Sequence, residues 1–132
     1  MSFLGEARPV IALVPALLWL VAIFWAVLII GITIQTGHVF TRRSKRPPVK
    51  PVAWTMVFMH VASFVMAILP FPVYALVADL MDARARRFYE AQALPAAILV
   101  IVLVLGEVAV MYMQARNAME SQMDEKLNNA KP

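Results

Sequence analysis

Three long apolar stretches alternate with polar segments, at roughly residues 9–35, 52–78 and 94–114. Each is as long as the about 20 helical residues that cross a hydrocarbon core about 30 Å thick. The pattern predicts an all-α integral membrane protein with three transmembrane helices in a single transmembrane domain covering 1–132. The first stretch is longer than the apolar core of a cleaved leader, and Glu6 offsets Arg8 in front of it. It is expected to be a retained helix. Between spans one and two lies a basic loop at 37–51, and beyond span three a tail at 115–132.

The polar segments set the orientation. The first loop carries Arg42, Arg43, Lys45, Arg46 and Lys50 and no acid. With three crossings it shares a side with the tail, and together they hold eight basic residues against four on the other side. The positive-inside bias predicts the N-terminus outside and the C-terminus in the cytoplasm, in a multi-pass protein of a bacterial inner membrane. Arg42, Arg43, Lys45 and Arg46 are candidate contacts for anionic lipid or for an acidic partner surface. The second loop holds the i,i+4 pairs Asp82–Arg86 and Arg86–Glu90 beside Phe88 and Tyr89. It predicts a short helical turn lying on the membrane surface, with Pro95 starting span three. Pro70 and Pro72 are expected to kink span two.

The tail has no Gly or Pro before Pro132, and Ala115, Met119, Met123 and Leu127 recur every four residues. This predicts a cytoplasmic helical extension of span three with an apolar stripe. Met119, Met123 and Leu127 are candidate contacts with another subunit.

Composition adds exclusions. Apolar residues make up 62% of the chain and charged residues 15%, against about 25% charged in a soluble domain. Cysteine is absent, which excludes disulfides, thiolate catalysis and Cys-ligated zinc or iron–sulfur sites. The net charge of +4 is a topogenic loop and not a nucleic-acid footprint. Histidines are too few, and acids too scattered, for a nucleophilic triad. The four glycines form no phosphate-binding loop. The expectation is a protein that is not an enzyme.

Polar groups at depth in hydrocarbon are costly and therefore informative. Glu107 interrupts an apolar run, His60 and Ser63 lie in the first half of span two, and Thr33 and Gln35 close span one. At 1.5 Å rise per residue, His60 and Glu107 both lie about 10–12 Å from the same membrane face. They are expected to pair across antiparallel helices. The stripe Met56, His60, Ser63, Ala67, Pro70 and Tyr74, and the stripe Leu103, Glu107, Val110 and Gln114, both follow helical spacing and point inward. Ala12–Ala16 and Ala22–Ala26 give span one small residues for close helix approach.

The function these features favour is a small accessory subunit of a larger membrane complex, in a respiratory or photosynthetic, energy-transducing assembly. Its partners would be larger membrane subunits and a bilayer containing anionic lipids. Two alternatives use the buried pair. One is a membrane anchor associated with haem b or quinone, with His60 as an axial ligand. The other is a self-oligomerising, holin-like channel or proton conductor that works through Glu107.

Overall fold

The computed structural model describes residues 3–130, with side chains from residue 9 onward. Glu6, Arg8 and Lys131, which enter the charge count, lie outside the described side chains. Among the described residues every regular element is helical: α1 at Phe3–Gly37, α2 at Trp54–Ile68, α3 at Pro70–Val77 and α4 at Ala83–Ala130. Single 3₁₀ turns at Arg43–Lys45 and Ala78–Leu80 punctuate the connections. Three segments, Pro9–Gly37, Trp54–Leu80 and Ala83–Ala130, are long and apolar enough to cross a membrane.

Span two is interrupted at Leu69, between α2 and α3. Pro70 has no N–H to offer the Met66 carbonyl, so one rung of the ladder is lost there. Leu69 itself keeps helical dihedrals, and the chain continues in the same sense.

The second connection corrects two expectations. No separate surface turn forms before Pro95, and Pro95 does not start a helix. It lies inside α4, which runs 48 residues without a break, about 72 Å at helical rise. The start is set upstream by Asp82, whose Oδ1 accepts the Ala85 N–H at 2.8 Å, an N-cap bond. Helices tolerate proline in apolar surroundings when neighbours re-satisfy the freed backbone. The carbonyl that Pro95 leaves without its helical donor is that of Ala91, on an exposed face of α4. One turn on, the Trp19 indole of α1 adds a bond to the Ala96 carbonyl at 3.4 Å.

Helix α1 is the centre of the bundle, packing along α4 on one side and along α2–α3 on the other. Its inward residues are Ala22, Ala26, Ile29, Thr33 and Gly37, all buried, at a strict four-three-four-four spacing. Small residues predominate there and allow close backbone approach, the packing mode by which helices associate in lipid. The outward faces of all three spans are large and apolar, as with Phe24, Phe58 and Leu105.

Two side chains stitch the bundle at its end remote from the basic loop. The Tyr89 hydroxyl of α4 accepts the Ala16 N–H at 3.1 Å and donates to the Ala12 carbonyl. Those two groups are an i→i−4 pair of α1, next to Pro15. The hydroxyl thus inserts where proline loosens the ladder. Nearer mid-helix, the Trp25 indole donates to the Met59 carbonyl of α2 at 3.1 Å.

Candidate functional site: a buried polar cluster and a loop-to-tail seam

Each span contributes a polar residue to one cluster. His60 of α2 sits between the other two helices. Its Nδ1 lies 3.0 Å from Oε1 of Glu107 on α4, and its Nε2 lies 2.9 Å from Oγ1 of Thr33 on α1. Thr33, His60, Ser63 and Glu107 are all 0% exposed. The structure therefore brings His60 and Glu107 together at one level and adds Thr33 as a third member. Gln35, the other polar residue closing span one, is exposed and plays no part.

The cluster is closed. An uncompensated charge inside an apolar bundle is costly, so net neutrality limits the proton arrangements to two. In one, Glu107 is a carboxylic acid beside neutral imidazole. In the other, a carboxylate faces imidazolium. They differ by the place of one proton along a 3.0 Å contact. Ser63 Oγ lies beside the Glu107 carboxyl. Neither that oxygen nor Glu107 Oε2 has a hydrogen-bond partner. The chemistry available is helix-to-helix recognition through the chain Thr33–His60–Glu107, one residue from each span.

Haem ligation is a poor match to this geometry. Both ring nitrogens of His60 are engaged and its side chain is wholly enclosed, so axial ligation requires breaking the pair. His38, the only other histidine, is at the loop end of α1. Among the described residues no group of three or more His, Asp or Glu side chains gathers to hold a metal ion.

Toward the loop end the same seam continues in polar residues. Asn117 donates from Nδ2 to the carbonyls of Gly37 at 2.9 Å and His38 at 3.3 Å. It caps the Gly37 carbonyl at the end of α1 from a neighbouring helix and shares the His38 carbonyl with the Thr41 N–H. His38 adopts a left-handed φ of 47°. The Val39 N–H then reaches back to the Ile34 carbonyl at 3.2 Å, the bond of a Schellman ending. Gln114 donates to the Lys50 carbonyl at 3.2 Å, and Ser121 Oγ accepts the Val49 N–H at 3.0 Å.

Two arginines of the basic loop complete the seam. Arg43 meets Asp124 at 2.8 Å and Arg46 meets Glu120 at 2.7 Å. Arg42 and Lys45 are exposed, and make no ion pair among the described residues. Of the four candidate contact residues in the loop, two are thus turned onto the tail and two are left outward. Met119, Met123 and Leu127 lie on another face of the tail helix, between 57% and 64% exposed.

The seam's electrostatics give a pH prediction. The Arg43 guanidinium holds the Asp124 carboxyl below its ordinary value, and Arg46, helped by Arg43 and Arg116, does the same for Glu120. Asp124 in turn raises Arg43. Carboxyls depressed by docking strengthen docking fully above their undocked values, about 4. That contribution disappears as pH falls through the lower docked values. Spin labels on Ser44 and Gln122 should therefore report one short distance from neutral pH down to about pH 4, and a longer one only in stronger acid. Separation already near neutral pH would show that these pairs do not hold the tail.

The signal for this seam was present in the spacing. Glu107, Val110, Gln114, Asn117, Ser121 and Asp124 continue a three-four repeat from inside the apolar span into the tail. Following apolar residues alone leads instead to the Met119–Leu127 stripe, because the seam's partner beyond the span is a polar loop. No protein-family model matches the chain, and no curated protein and no solved structure resembles it significantly.

Proposed function

We propose that this chain is a small, non-catalytic subunit of a larger membrane assembly. In this reading it is inserted with its N-terminus outside and its basic loop and tail on the cytoplasmic face. The bias of basic residues toward the loop-and-tail end supports that orientation.

One observation carries the subunit reading. The tail from Gln114 to Ala130 extends about 24 Å past the last buried polar residue of the span. Its polar face is tied down by Arg43, Arg46, Val49 and Lys50. An outward face, about 120° round the helix, displays Met119, Met123 and Leu127. A helix held by ion pairs and backbone bonds while an apolar stripe faces outward is built to meet an apolar surface. The cluster at His60 supports the same reading, since its groups are spent on holding the three helices together.

The test is extraction from the native membrane in mild detergent, followed by size and mass analysis. The chain should travel in a complex of fixed stoichiometry with larger membrane proteins. The triple substitution Met119→Asp, Met123→Asp and Leu127→Asp should release it while the isolated chain keeps its helical content. A chain that migrates alone or as a homo-oligomer overturns the reading, as does a triple variant that stays in the complex. A homo-oligomer with membrane leakage would point to a channel instead.

A further inference from the structure

Three prolines, one from each span, converge at the end of the bundle remote from the basic loop. Pro15, Pro70 and Pro95, with Trp19, Phe71 and Phe88, line an open cavity of about 430 Å³. We propose that this cavity is a groove for one acyl chain of an anionic phospholipid, whose phosphate is met by Arg84.

The lining is almost wholly apolar, which suits a hydrocarbon chain and gives no set of convergent polar groups to orient a compact polar ligand. The cavity is not closed: Phe88 and Leu99, at the two ends of its α4 wall, are both exposed. From Phe88 to Leu99 that wall is eleven residues, about 16 Å. This is half of the about 30 Å hydrocarbon thickness, the length of one leaflet.

Charge supplies the head-group end. Residues 84, 88, 92, 95 and 99 fall on one line of α4 at four-four-three-four spacing, so Arg84 stands one turn beyond Phe88 at the mouth of the groove. Arg84 is exposed and makes no ion pair among the described residues. Of the other charged residues nearby, Arg87 is likewise exposed and makes no ion pair among the described residues, but it lies about 100° round the helix from Phe88 and off this line. Arg86 donates to the carbonyls of Ala78 and Met81 at 3.2 and 2.9 Å, and Asp82 caps α4. Glu90, six residues on, falls about 120° round the helix from the Arg84 position and makes no ion pair among the described residues. A free guanidinium above an apolar trough of one-leaflet length matches an anionic amphiphile better than a zwitterionic one.

The proposal requires that the spans insert in a bilayer, and nothing else of the subunit reading. The full chain is reconstituted in phosphatidylcholine vesicles containing a fixed fraction of acyl-brominated phosphatidylglycerol or acyl-brominated phosphatidylcholine. Trp19 quenching is read as the difference between the chain and its Trp19→Phe variant. The Trp25→Phe/Trp54→Phe variant, with Trp19 as the sole indole, repeats the measurement independently of any effect of Trp19→Phe on folding. Brominated phosphatidylglycerol should quench Trp19 severalfold more strongly than brominated phosphatidylcholine. Arg84→Gln should make the two equal, and Ala93→Leu, which fills the cavity, should lower both. Equal quenching in the unsubstituted chain, or a preference that survives Arg84→Gln, overturns the groove. Absence of quenching of any Trp by either lipid overturns insertion itself, and the groove with it.

Discussion

His60→Leu is expected to be among the two most damaging single substitutions in the chain. It strands the Glu107 carboxyl, fully buried, with Oε2 already unpartnered. Breaking a buried pair by removing one member costs about 3–5 kcal/mol where charge is left uncompensated. Single interhelical hydrogen bonds in membranes average about 0.6 kcal/mol, and the difference between these figures is the content of the prediction. Glu107→Leu should cost less, about 1–3 kcal/mol, since it strands only a neutral donor or acceptor on His60. Thr33→Val should cost about 0.5–1.5 kcal/mol. The double variant His60→Leu/Glu107→Leu should be more stable than His60→Leu alone, because apolar residues in both places leave nothing unsatisfied. Unfolding of the purified chain in mixed micelles titrated with dodecyl sulfate gives all four values and closes a double-mutant cycle. Two single variants as stable as the parent chain would rule out the cluster as a helix clasp.

That prediction also shows what could be read in one dimension. The three long helices are plain in the sequence because apolar runs of this length are what a bilayer-spanning helix needs, and the pattern leaves little choice but helix. The common level of His60 and Glu107 follows from helical rise alone, once the number of crossings is known. Thr33 stands on the inward spacing of α1 with Ala22, Ala26 and Ile29, yet nothing in linear order says which neighbour a threonine will meet. Pro95 misleads because the rule that proline opens a helix is learned where water competes for the backbone. In apolar surroundings the helix set by the Asp82 cap upstream runs through it. The loop-to-tail seam was hidden for a different reason. An arginine-rich loop and an acid-bearing helix each look fully solvated when read separately, and only the fold places Arg43 and Arg46 over Asp124 and Glu120.

Gly37→Ala is expected to be the other severe substitution, although it adds one methyl group. The residue ends α1, and a glycine there is normally credited with the left-handed turn that follows a helix. In this protein the left-handed residue is His38, and Gly37 serves a different need. A Cβ built on it would lie 2.7 Å from Cβ and 2.9 Å from Cγ of Gln114, and 3.3 Å from its Cα. The obstacle is therefore the Cα–Cβ stem of Gln114 on α4, and not the end of a flexible side chain. Relief requires the helices to part, which disturbs Asn117 on the Gly37 carbonyl and Gln114 on the Lys50 carbonyl together. Overpacking of this kind costs about 1–3 kcal/mol, and the loss of either bond adds about 0.5–1.5 kcal/mol. The rescue pattern is specific. Gln114→Ala should fail to restore Gly37→Ala, because the Cβ–Cβ clash remains. Gln114→Gly should restore part of it, less the about 1 kcal/mol that glycine costs inside a helix and the about 0.5–1.5 kcal/mol of the lost bond to the Lys50 carbonyl. In the same micelle titration, rescue by Gln114→Ala would mean that the side-chain end and not the backbone approach is the constraint. A harmless Gly37→Ala would mean that α1 and α4 do not meet this closely, and the anchoring of the tail beyond them would lose its foundation.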